Sequence, residues 1–130
     1  MVSDPIAPLA RQYANDAGLP RIAESGSGGG LQGLLQAVGL AKERSPYDRF
    51  MLGFHDYLKV NREYQEKCRK YRFEFPPDST WMVFTDVVPH AVLSGQFALE
   101  QTVIVRRKSL LTPANAPIAV LESLCGRALA

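Results

Sequence analysis

The stretch from Phe75 to Val105 constrains the fold of this chain more than any other. Pro76-Pro77-Asp78-Ser79 is a turn by composition, because proline presets φ and the short Asp and Ser side chains bond to nearby backbone. Thr80 to Asp86 is rich in β-branched and aromatic residues and reads as a strand. Val87 to Leu93 reads as a second strand, Ser94-Gly95 as a turn and Phe97 to Arg106 as a third strand. A single histidine, His90, lies within the run. A His held between antiparallel strands can present a metal ligand to the inside of a small barrel. It can equally be a hydrogen-bonded core histidine, and on the residue alone both readings stand. No His-x-Asp or His-x-Glu pair lies upstream to complete a metal triad.

Around this run the pattern is mixed. Pro5 to Ala17 reads as a short helix ended by Gly18 and Pro20. Ser25 to Gly30 is a flexible linker by composition, and Leu31 to Val38 a short apolar helix closed by Gly39. Ser45-Pro46-Tyr47-Asp48 is a helix start: Ser45 caps, Pro46 suits the first helical position, and Asp48 stands where a capping box places its acid. Phe50, Phe54, Tyr57 and Leu58 then form one apolar face, and Lys59 to Lys70 a charged, solvated end. Tyr71, Phe73 and Phe75 alternate with Arg72 and Glu74 as a strand would. A last helix is expected from Asn115-Ala116-Pro117 to Gly126. Helices, then strands, then a helix give an α+β class. The division that follows is a helix and linker over 1–30 and a main domain over 31–130.

Composition removes several function classes. The chain has 130 residues, one domain's worth, and a net charge of +2 from 15 basic and 13 acidic side chains. That balance argues against a dedicated nucleic-acid binder. Cys68 and Cys125 are far apart and suggest neither a zinc knuckle nor a disulfide framework. Free thiols, a start without a signal-peptide pattern, and an apolar run broken by Asp86, Pro89, His90 and Gly95 suggest a soluble cytoplasmic protein. Gly28, Gly30 and Gly33 match G-x-G-x-x-G, but no strand precedes them, so the linker reading prevails over a nucleotide site. Trp81 and Phe84 are expected in the core, and Asp86 faces solvent or orients His90.

From Leu34 to Leu129 the chain resembles the C-terminal part of the Kdo hydroxylases, Kdo being 3-deoxy-D-manno-oct-2-ulosonic acid. The likeness is carried by Leu34-Leu-Gln-Ala-Val-Gly-Leu40, Ser45-Pro-Tyr-Asp-Arg-Phe-Met-Leu52, His55-Asp56, Tyr64-Gln65 and Phe75 through Thr102, and closes at Gly126-Arg-Ala-Leu129. The resemblance implies an iron(II)- and 2-oxoglutarate-dependent dioxygenase that hydroxylates Kdo at carbon 3 on a lipid A precursor. It implies the second half of a double-stranded β-helix, a half jelly roll, between N-terminal helices and a short C-terminal helix. It makes His90 the distal iron ligand of a two-His-one-carboxylate triad. Where the superfamily places a basic partner for the 2-oxoglutarate carboxylate, this chain has Gln101 and Thr102, with Arg106 and Arg107 later.

The family's first His and Asp fall in an N-terminal half not found here. His55 and Asp56 are adjacent on an expected helix and point about 100° apart, so they do not replace that pair. The chain alone is therefore expected to bind iron weakly and to be inactive. It is expected to pair with a complementary half or with itself through unpaired strand edges. Lys59 to Arg72 adds at most a peripheral contact with the inner membrane. The alternative is a non-catalytic half-barrel remnant or interaction module.

Overall fold

The computed structural model describes residues 1–24 and 44–130. The expected linker and the helix from Leu31 to Val38 lie outside the described residues.

The helical core follows from the apolar stripes. Helix α1 spans Ile6–Tyr13 and buries Ile6, Leu9, Ala10 and Tyr13, one face at helical spacing. The chain then turns through residues 14–18, where Gly18 takes φ +88, a conformation that costs glycine little. Helix α2, Leu19–Glu24, starts immediately afterwards. Pro20 thus sits in the first turn of a new helix, where its missing N–H leaves no bond unmade, rather than ending the previous one.

Helix α3, Pro46–Val60, begins as its sequence requires. Ser45 Oγ accepts from the Asp48 backbone N–H at 3.1 Å and donates to the Asp48 carboxylate at 3.0 Å. Phe50, Met51, Phe54 and Leu58 are buried, and the Phe50 and Phe54 rings stack with centroids 5.2 Å apart. Asn61 ends α3 and caps helix α4, Arg62–Lys67, its side chain accepting from Tyr64 N–H at 2.8 Å. Helix α5, Pro117–Cys125, closes at Gly126 in the left-handed conformation, φ +68. Helix α1 packs on α5, and α2 packs on both α3 and α5. Leu121 and Leu129 reach the same core with no exposed surface. The Leu129 carbonyl accepts from Tyr47 N–H at 3.0 Å, so the chain's end satisfies a free donor in the first turn of α3.

The strands depart from expectation. The sheet among the described residues has two strands, β1 (Val2–Ser3) and β2 (Lys70–Tyr71), antiparallel with Val2 opposite Tyr71 and Ser3 opposite Lys70. No double-stranded β-helix or half jelly roll forms among the described residues; the architecture is mostly helical. The expected strands from Thr80 to Asp86 and from Phe97 to Arg106 have no ladder, and the one from Val87 to Leu93 keeps a single bridge, Val2 to His90. Of the alternating run at Tyr71, Phe73 and Phe75, only Tyr71 is paired.

The reason is physical. Alternation marks a segment able to be a strand, but a strand is made by hydrogen bonds to a neighbour. Within these segments only residues 87–91 find a neighbour among the described residues, in β1, and no ladder forms beside Thr80 to Asp86 or Phe97 to Arg106. Their apolar side chains consequently stand in solvent, with Phe97 at 96% and Ile104 at 92% exposure. Trp81 and Phe84, expected in the core, are also exposed; Trp81 stacks instead on Phe75 across the Pro76–Ser79 turn, centroids 5.4 Å apart. No helix among the described residues is long and apolar enough to cross a membrane.

Candidate functional site

A cleft of about 340 Å³ opens where β1, α3, α4 and the turn before His90 meet. Its walls carry both histidines of the chain, His55 and His90, together with Asp86, Leu58 and Tyr64.

Each wall is held by a local device. Asn61 Nδ2 donates to Tyr57 Oη at 2.8 Å, and Gln65 Nε2 donates to the Leu58 carbonyl at 2.8 Å, so the bend between α3 and α4 leaves that carbonyl satisfied. The bend turns Tyr64 inward, where its hydroxyl and Ser3 Oγ share a buried hydrogen bond of 2.8 Å that ties β1 to α4. Burial pushes the Tyr64 phenol above its usual value, although the Ser3 bond acts the other way.

The His90 wall is pinned by backbone. Ile6 N–H donates to the Val87 carbonyl, Ser3 N–H donates to the Pro89 carbonyl at 3.0 Å, and Ala91 N–H donates to the Met1 carbonyl at 3.0 Å. Residues 87–91 thus lie along β1 on the side opposite β2. The His90 ring is exposed, with Nδ1 3.1 Å from the Val88 carbonyl oxygen. A carbonyl can only accept, so Nδ1 is the donor in this contact, and in the neutral ring Nε2 is the nitrogen with the lone pair. A metal-binding His commonly has this arrangement, one ring nitrogen donating to backbone and the other free to coordinate.

Asp86 is exposed at the rim of the cleft. It accepts from Tyr47 Oη at 2.8 Å, a bond from the first turn of α3. Burial first, and donation to Asp86 second, raise the Tyr47 phenol well above its usual value. His55 is half-buried on α3 and reaches the cleft, although adjacency to Asp56 had set it aside. Gln101 and Thr102 lie elsewhere, exposed on the unpaired segment. The structure therefore brings together His90, His55 and Asp86 in one cleft and leaves Gln101 and Thr102 outside it.

A facial triad drawn from this chain alone would need both histidines, because there are only two. Among the described residues no group of three His, Cys, Asp or Glu is placed to hold a metal ion. The residues present thus supply an imidazole with a free Nε2 but do not by themselves build a complete iron site. The charged flank is largely self-neutralised: Lys59 pairs with Asp56 at 3.0 Å, Arg62 with Glu66 at 2.6 Å, and Lys67 with Glu63 at 3.3 Å. Such exposed pairs add little to stability.

The family model for 3-deoxy-D-manno-oct-2-ulosonic acid (Kdo) hydroxylase matches residues 1–128. The chain belongs to the Kdo hydroxylase family. In this Kdo hydroxylase family member the match starts at residue 1 and so takes in β1 and α1, which the structure packs against the His90 turn and α5. Comparison with curated proteins and with solved structures returned no match. Membership supports a Kdo hydroxylase-like function and, with it, a place in lipopolysaccharide chemistry.

The N-terminal strand and the cleft position of His55 escaped the sequence reading. A strand of two residues has no period to detect. The face of α3 that His55 shares was legible only as a packing face.

Proposed function

We propose that this chain supplies His90, through Nε2, as one iron ligand of an iron(II)- and 2-oxoglutarate-dependent hydroxylase acting at carbon 3 of Kdo on a lipid A precursor. The reading rests on the His90 ring, whose Nδ1 is committed to the Val88 carbonyl and whose Nε2 is left free. Family membership supplies the substrate class. The described residues hold no three-donor group, and in this reading a further polypeptide segment supplies the other ligands. Activity then depends on a partner carrying a His-x-Asp pair, or on self-association covering the apolar segment around Phe97 and Ile104. We place the working complex in the cytoplasm, with Arg69, Lys70 and Arg72 offering a peripheral contact to the anionic inner membrane.

An anaerobic iron(II) titration of the purified chain, followed by a succinate-release assay with 2-oxoglutarate, tests this. The expected result is weak binding and no succinate until a His-x-Asp-bearing segment is co-expressed. Turnover by the chain alone, or turnover by the co-expressed pair that survives His90→Ala, would overturn it. The second reading is a non-catalytic interaction module, favoured by the exposed Phe97, Leu99 and Ile104. Continued inactivity in the presence of the complementing segment supports it.

A further inference from the structure

Residues 73–83 and 92–106 are solvent-exposed almost throughout, yet the stretch between them is fixed in place. Backbone bonds to residues 1–6 hold one side of it. The other side is held by a side chain: Tyr47 Oη, on the half-buried first turn of α3, donates to Asp86 at 2.8 Å. Asp86 lies in the tight turn in which Val87 and Val88 N–H both reach back to the Phe84 carbonyl. That turn delivers the Val88 carbonyl, and this carbonyl is what orients the His90 ring. Tyr47 is itself anchored at its backbone, where its N–H donates to the Leu129 carbonyl, and its ring packs against the core.

We propose that Tyr47 is a positioning residue which, through Asp86, fixes the turn that aims the His90 imidazole into the cleft. Its importance for the reaction rests on the functional reading of His90 given above, but its positioning role does not. Helix α3 and the turn that carries the imidazole are then coupled by one phenol–carboxylate bond. A hydrogen bond to a charged acceptor is among the stronger single contacts a side chain can make.

The test uses the full chain without metal, so it fails or succeeds independently of any iron chemistry. The ring signals of His90 and His55 are followed by NMR, together with hydrogen exchange of the Ile6 amide that donates to Val87. Tyr47→Phe is expected to move the His90 ring signal, leave the His55 signal in place and speed Ile6 exchange at least about fivefold, the scale of one lost hydrogen bond. Asp86→Ala should do the same, and the double variant should do no more than either single change. Asp86→Asn, which keeps an acceptor, should retain the wild-type His90 signal. An unmoved His90 signal in Tyr47→Phe, or additive effects in the double variant, overturns the proposal. If Tyr47→Phe also shifts His55, the loss is one of general packing and the proposal falls as well.

Discussion

Phe54→Ala offers the sharpest test of how this molecule is divided. Phe54 has no exposed surface and stacks on Phe50 at 5.2 Å, in the middle of α3. Removing a fully buried ring costs roughly 3–5 kcal/mol, part of it from the cavity left behind. The stacked partner accounts for about 0.5–1.5 kcal/mol of aromatic pairing beyond area. With a urea dependence of about 2 kcal/mol per molar, a loss of about 4 kcal/mol lowers the midpoint by about 2 M. The helical far-UV signal should report that shift.

Trp81 should not. It is 48% exposed and stacks on Phe75, outside the core. Its emission is expected to be that of a solvated indole before unfolding and to change little through the transition, in wild type and variant alike. A midpoint shift below about 0.5 M would refute the packing argument for α3. Trp81 emission that follows the helical signal step for step would refute the division into a helical core and an unpaired ribbon.

Two further outcomes follow from local geometry. Gly126 holds φ +68 with no atom within 4 Å of where a Cβ would stand, so Gly126→Ala meets only backbone strain. It should cost about 1 kcal/mol and lower the thermal midpoint by roughly 4 °C, as calorimetry would show. The phenols of Tyr47 and Tyr64 are both raised from the ordinary 10.0, chiefly by burial. Below that value folded and unfolded chains hold these protons equally. As pH rises above it the unfolded chain releases them and the folded chain does not, so stability falls. Urea midpoints measured at rising alkaline pH should fall above about pH 10, less steeply in Tyr47→Phe; identical slopes would count against this.

Much of the helical half was legible in the residues. Ser45, Pro46 and Asp48 announce the start of α3 because capping is local chemistry, complete within four positions. Pro117 and Gly126 bracket α5 for the same reason. The strands were misjudged because Thr80 to Asp86 and Phe97 to Arg106 carry strand composition without a partner beside them, and pairing is a non-local property. The same distinction separates the site residues. Position within a motif singled out His90, whereas the bond from Tyr47 to Asp86 joins residues 39 apart and leaves no mark in either neighbourhood.

The clasp between Met1 and Ala91 joins residues 90 positions apart. Closing a loop of that length carries an entropic cost of roughly 4 kcal/mol before any contact offsets it. The caps of α3 and α4 owe nothing to that closure, being made by neighbours in sequence. The histidine wall is accordingly an assembly-dependent feature, present only once distant parts of the chain have met. During refolding the helical signal should return first and protection of the Ala91 amide last, so the turn that carries His90 is the late-forming part of the molecule.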